Sequence, residues 1–120
     1  MANRPKTPTG KVCWTCTASD GRVVRLYKDT YYGHINNKNR HPEIPRDYDY
    51  PATEIEDALM KAPKPPKPEA SHQRISYIGP PVQPKAPKAG LEEWKVVVQP
   101  DDDGGKTGWV VAAYPRLLIN

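Results

Sequence analysis

WKVVVQPDDDGGKTGWVVAAYP, residues Trp94–Pro115, is the stretch whose reading decides the fold. Two runs rich in β-branched and aromatic residues flank a cluster of Asp and Gly. That is the pattern of two strands joined by a turn. The first strand is expected over Glu92–Gln99, with Trp94, Val96 and Val98 on one face. The second is WVVAAYP, running to Tyr114. Strict alternation puts Trp109, Val111 and Ala113 on one face and Val110, Ala112 and Tyr114 on the other. The tryptophan-bearing faces read as core, and Tyr114, at the strand end, is placed to reach a site with its hydroxyl. PDDDGGKTG is the turn. It shares its Asp-rich start with a calcium loop but lacks the distal glutamate.

Working outward, RISYIG (Arg74–Gly79) adds a short strand ahead of this hairpin, making a three-stranded meander. At the other end of the chain, VCWTCT (Val12–Thr17) and VVRLYK (Val23–Lys28) flank Asp20-Gly21, a strong hairpin-turn signal. Helical signals lie between the two hairpins. Asp29 is placed to cap a helix from Thr30 to about Arg40, ending before Pro42. Thr53 and Glu56 form a T-x-x-E capping box. Behind it, Ile55, Ala58, Leu59 and Ala62 make one apolar stripe at helical spacing, which Pro63 ends. The expectation is an α+β fold with two N-terminal helices packed on a four- to five-stranded antiparallel sheet. Residues 1–11 read as a flexible basic tail and 12–120 as a single domain. Pro/Lys-rich loops are expected at 63–72 and 79–90; each fits a semi-rigid linker or a proline-motif ligand.

The chain has 120 residues, 37% of them hydrophobic, and 15 prolines. That bounds it to one domain with a modest core. No apolar run approaches the roughly 18 residues that a membrane span requires. The first residues, MANRPKTPTGK, hold no secretory h-region. With two cysteines and no other disulfide candidates, the chain is expected in a reducing cytoplasm or to be indifferent to redox state. The net charge is +4. It is uneven: residues 1–40 carry eight Lys/Arg against two Asp, and residues 41–62 carry two against six acids. A basic N-terminal third fits an anion-binding face, and it also fits plain solvated charge. P-loop, dinucleotide-binding, nucleophile-elbow and H-E-x-x-H signatures are all missing.

Cys13 and Cys16 spell C-x-x-C. On a strand, positions three apart face opposite ways, which argues against chelation or a disulfide. Recruiting His34 and His41 gives C-x2-C-x17-H-x6-H, which departs from zinc-finger spacing of roughly 12 and 3–5. Packed or edge cysteines are the favoured reading, and no metal or cofactor is expected. In YYGHINNKNRHPEI (Tyr31–Ile44), His34 and His41 bracket Lys38 and Arg40. Imidazoles titrate near about 6.5 and so take and give protons at neutral pH. Metal-free RNA cleavage needs a base for the 2′-OH, an acid for the leaving oxygen and a cation for the phosphate. His34 and His41, with Lys38, Arg40, Arg25 or Arg74, supply those types. Tyr77 or Tyr114 would stack a base. The same histidines also fit a helix in which they cap, pack or hydrogen-bond locally. Tyr31 and Ile35 are expected to face the sheet, which sets His34 at the boundary of core and solvent.

The order of motifs carries a resemblance. RLYKDTYYGHI is followed by HPEI, then ATEIEDALMKAP, RISYIG and WKVVVQPDDDGGKTGWVVAAYP. Over roughly residues 22–116 this resembles the phage-associated branch of the barnase–EndoU–colicin–RelE-like (BECR-fold) nucleases. The resemblance implies a small α+β domain with metal-independent endoribonuclease activity of a toxin-like kind, RNA (tRNA included) as substrate, and an antitoxin or immunity protein as partner. It places the family's GHI position at His34 and its HP position at His41. Its closing TAYP-like segment falls on Ala112, Ala113, Tyr114 and Pro115, with alanine at 112 where a hydroxyl-bearing residue is common. The other reading of the whole chain is a non-catalytic binding or inhibitor module from a phage or mobile element, using the basic face or the Pro-rich loops.

Overall fold

In the computed structural model, the structure describes residues 8–35, 51–63, 66–69, 73–79 and 92–117. The expected hairpin at the chain start forms as β1 (Val12–Thr17) and β2 (Val23–Tyr27). A short helix α1 (Lys28–Thr30) follows and runs into a π-helical turn over Tyr31–Ile35. Helix α2 covers Pro51–Lys61, and β3 is the two-residue strand Lys67–Pro68. The meander is β4 (Ile75–Ile78), β5 (Glu92–Pro100) and β6 (Thr107–Leu117).

These six strands form one sheet in the order β1-β2-β6-β5-β4-β3. The expected fold class is therefore corrected. The sheet is mixed, because β2 pairs with β6 in parallel while every other neighbouring pair is antiparallel. Among the described residues strand predominates over helix, and the helical segments are short. The direction of one helix explains the parallel pair. Helix α2 starts at the end of the sheet where β2 finishes: the Trp14 indole donates to the Ala52 carbonyl (3.0 Å), and the Tyr31 hydroxyl accepts from the Ala52 amide (3.2 Å). It finishes at the β1–β2 turn, where the Ser19 amide donates to the Leu59 carbonyl (2.9 Å). The chain is thus returned to the end from which β2 set out, so β4 runs the same way as β2. Two antiparallel reversals later, β6 does too, and it lies between β2 and β5.

Local boundaries moved for identifiable reasons. The helix expected from Thr30 is already helical at Lys28, with Asp29 inside it and Tyr27 at the N-cap making no side-chain cap. Its expected continuation to Arg40 lies outside the described residues. Helix α2 begins at Pro51, ahead of the expected Thr53 cap, because proline's fixed φ suits the first helical position. Its stripe is as expected: Ile55, Ala58, Leu59 and Ala62 are all buried. Part of the expected loop at 63–72 pairs instead, as β3 with β4, where a proline is tolerated at the sheet edge.

The core lies between α2, the π-helical turn and one face of the sheet. It includes Cys16, Val24, Leu26, Tyr31, Ile35, Tyr77, Trp94, Val96, Val98, Val110 and Ala113. Two bulges decide which side chains reach it. In β6, Val98 pairs with Val110 and Val97 with Ala112, so Val111 is an extra residue. Val110 and Ala113 consequently both face the core. The expected sharing of a face by Trp109, Val111 and Ala113 is corrected: Trp109 pairs with Arg25 and Gln99 on the opposite side of the sheet, and only Trp94 joins the core cluster. In β1 the register shifts between Val12 and Trp14. Both Cys13 and Cys16 then pack against the core, where strict alternation had them facing apart, and neither is in a disulfide.

Gly79 shows how closely helix and sheet approach. A Cβ there would lie 2.9 Å from the Ala58 Cβ and 3.1 Å from its Cα. Gly79→Ala is expected to cost about 1–3 kcal/mol by forcing α2 off β4. A urea melt measures this, and Ala58→Gly in the same chain is expected to restore much of the loss.

Burial pushes the Cys16 thiol up from its ordinary 9.0 to about 12, with Glu56 adding repulsion. The unfolded chain gives up this proton near 9 and the folded chain does not. Stability is therefore unaffected by this group below pH 9 and falls as pH rises from 9 towards 12. Denaturation midpoints across that window are expected to show the fall in the parent and a flatter profile in Cys16→Ala.

Candidate functional site

The π-helical turn carries His34. Tyr31 and Ile35 at its ends are both 0% exposed, while Tyr32 between them is 56% exposed and Gly33 is open. The anchoring of Tyr31 and Ile35 in the core is as expected. The two anchors are spaced i, i+4, and the turn between them is wound wider than an α-helix. Such π turns recur at functional sites. Tyr31 is held twice more, by the Ala52 amide on its hydroxyl and by an edge-on contact with Tyr32 at 4.9 Å between ring centres. The turn packs against β6. Because β6 runs parallel to β2, its Tyr114 end and the His34 turn lie at the same end of the sheet. Tyr114 pairs with Lys95 on the face opposite the core, half-buried, with Ala112 on that same face. The side chain of His34 lies outside what the structure describes, as do Lys38, Arg40 and His41.

Arg25 and Arg74 share the face opposite the core and sit in one row across it, Arg25–Trp109–Gln99–Arg74. Neither guanidinium stands alone. Arg25 is ion-paired with Asp101, donates from Nε to the Gly108 carbonyl (3.3 Å) and lies 5.5 Å over the Tyr27 ring. Arg74 donates from Nε to the Gln99 side-chain carbonyl (3.2 Å). Nearby, Lys95 meets Glu69 at 3.5 Å.

Tyr77 is on the core face and 0% exposed, so neither face of its ring is open to a base. Its hydroxyl donates to the Asp20 carboxylate at 2.9 Å and accepts from Arg22 at 3.4 Å. Burial, reinforced by the bond to Asp20, pushes its phenol well above the usual range. Arg22 also donates from Nε to the Gly105 carbonyl at 2.5 Å, tying the β1–β2 turn to the β5–β6 turn.

This Asp20–Arg22–Tyr77 group was not legible as such. Asp20 reads in sequence only as a turn former, and its partners lie far along the chain. Beside it opens a cleft of about 350 Å³, lined by Arg22, Gln73, Pro100, Asp101, Asp102, Gly104 and Gly105. Gln73 has a φ of 58°, a left-handed conformation uncommon for a side-chain-bearing residue. The cleft is at the opposite end of the sheet from His34. Among the described residues no group of three or more His, Cys, Asp or Glu is placed to hold a metal ion. No helix among them is long and apolar enough to cross a membrane.

No protein-family model, curated protein or solved structure matches this chain.

Removing the Tyr31 hydroxyl tests how the His34 turn is held. Tyr31→Phe leaves the Ala52 amide without its acceptor and is expected to destabilise the fold by about 1–3 kcal/mol. Chemical denaturation measures it. A change under about 0.5 kcal/mol, the range of ordinary surface substitutions, would show the bond to be dispensable.

Proposed function

We propose that the chain is a small metal-independent endoribonuclease of toxin-like type, acting by general acid–base catalysis at the His34 end of the sheet. The observation that carries this reading is the placement of the GHI motif on a π-helical turn. Its flanking side chains Tyr31 and Ile35 are sunk in the core, and it packs against β6, the strand that carries Ala112-Ala113-Tyr114-Pro115. Two of the motifs that enter the resemblance, GHI and AAYP, are far apart in the chain, and their backbones lie towards the same end of the sheet. His34 acts as base or acid and His41 as its counterpart or as a shaping residue. Tyr114 lies on the face of β6 opposite the one the His34 turn packs on, so in this reading it meets RNA that reaches round to that face. Arg25 and Arg74 already have partners within the chain, so holding the phosphate falls chiefly to Lys38 and Arg40, which lie in the same stretch as the histidines.

That internal pairing also favours one other reading, a binding module without catalysis. The two separate in one experiment: the purified chain is incubated with tRNA and total RNA in EDTA. Cleavage is expected, and His34→Ala is expected to slow it by about a hundredfold to ten-thousandfold, the usual contribution of a general acid or base. If His34→Ala and His41→Ala both cleave as fast as the parent, the site assignment fails. Salt-sensitive RNA retention without any cleavage identifies the binding module instead.

A further inference from the structure

The two edges of the sheet are protected unequally. At one, β3 is two residues long and consists of a lysine and a proline, which is how sheets block the addition of further strands. At the other, β1 runs for six residues, Val12–Thr17, with no charge and no proline. The hydrogen-bonding pattern shows which of its backbone groups face outward. The Ala18 amide donates to the Arg22 carbonyl at 2.8 Å, and Thr17 pairs with Val23. In an antiparallel ladder the bonds alternate, so Ala18, Cys16 and Trp14 point their amides and carbonyls at β2. Thr15 and Thr17 point theirs away. Both threonines are exposed, and among the described residues no strand pairs with this edge. The shift near Cys13 ends the regular stretch, leaving Trp14–Thr17 as its straight part.

We propose that β1 pairs with β1 of a second copy of this chain, antiparallel across a two-fold axis, to make one continuous twelve-stranded sheet. Such an interface uses the same patch on both copies. With Cys16 on the axis, Thr15 faces Thr17 of the other copy and Thr17 faces its Thr15. All four outward amides and carbonyls per edge are then satisfied from the regular part of the strand alone. Moving the axis to Thr15 would instead draw in the irregular Cys13. The paired stretch carries no charge, so no like charges meet across the axis.

The pairing is independent of any nuclease activity and is tested without RNA. Sedimentation of the full chain in reducing buffer, over a concentration series, is expected to show the mass of two chains. Thr15→Lys sets like charges near the axis, and Thr15→Pro removes an outward N–H while sparing the bonds to β2. Each variant, checked for retained fold by circular dichroism, is expected to fall to the mass of one chain. Hydrogen exchange on the parent adds a reading that needs no variant: Thr15 and Thr17 amides are expected to become more protected as concentration rises. A parent that is monomeric throughout overturns the proposal. So does a dimer that survives in a folded Thr15 variant, and so do Thr15 and Thr17 amides that exchange alike in dilute and concentrated protein.

Discussion

The fold turns on how one residue, Ala52, is held. Its carbonyl accepts from the Trp14 indole and its amide donates to the Tyr31 hydroxyl. The donor and the acceptor come from β1 and from the π-helical turn, and together they fix where α2 starts. Its direction then follows, because the apolar stripe Ile55–Ala58–Leu59–Ala62 lies flat on the sheet and Leu59 ends at the β1–β2 turn. Once α2 has carried the chain back across the sheet, the directions of β4, β5 and β6 are set. The parallel join of β6 to β2 is a consequence of this crossing. The same clamp holds Tyr31, and so the turn that carries His34. Fold and candidate site thus share one anchor.

The bulge in β6 is the second constraint. Without it, Val110 and Ala113 could not both face the core, since positions three apart on a regular strand face opposite ways. With it, Ala113 is sealed inside while Ala112 and Tyr114 turn outward at the end nearest the His34 turn. Bulges commonly re-aim side chains next to sites. Here the re-aiming leaves Trp109 on the outer face between Arg25 and Gln99. The outer face is consequently an ordered polar layer of paired cations and a largely buried tryptophan, and its free positive charge is less than the residue types imply.

What the sequence made legible follows from how local each signal is. The first hairpin, the final hairpin and the buried stripe of α2 depend on turn residues and periodicity within short windows, and all three form, though the last strand runs on to Leu117 and its faces differ from strict alternation. The parallel β2–β6 pair could not be read that way, because it depends on where the Ala52 clamp sets a helix. The β6 bulge was equally hidden: VVAA carries no residue that marks an insertion, and only pairing with Val97 and Val98 exposes it. For the candidate site, the anchoring of Tyr31 and Ile35 was legible from their four-residue spacing. The engagement of Arg25 with Asp101 and the burial of Tyr77 against Asp20 were not, since each partner is remote in sequence.

The polar groups therefore divide between the two ends of the sheet, and the division bears on mechanism. At the turn end, Asp20, Arg22, Tyr77, Gly105, Arg25 and Asp101 bond to one another. Such a network ties β-turns together; its groups are committed to each other, and its phenol is held protonated far beyond neutral pH. Proton transfer near neutrality needs a group that titrates there, and the histidines of Tyr31–Ile44 supply that type. One of them, His34, lies on the π-helical turn at the other end. The hydrogen-bonded end is thus committed to tying the turns together. The catalytic reading proposed for His34 therefore does not draw on the cleft, which opens at the opposite end of the sheet.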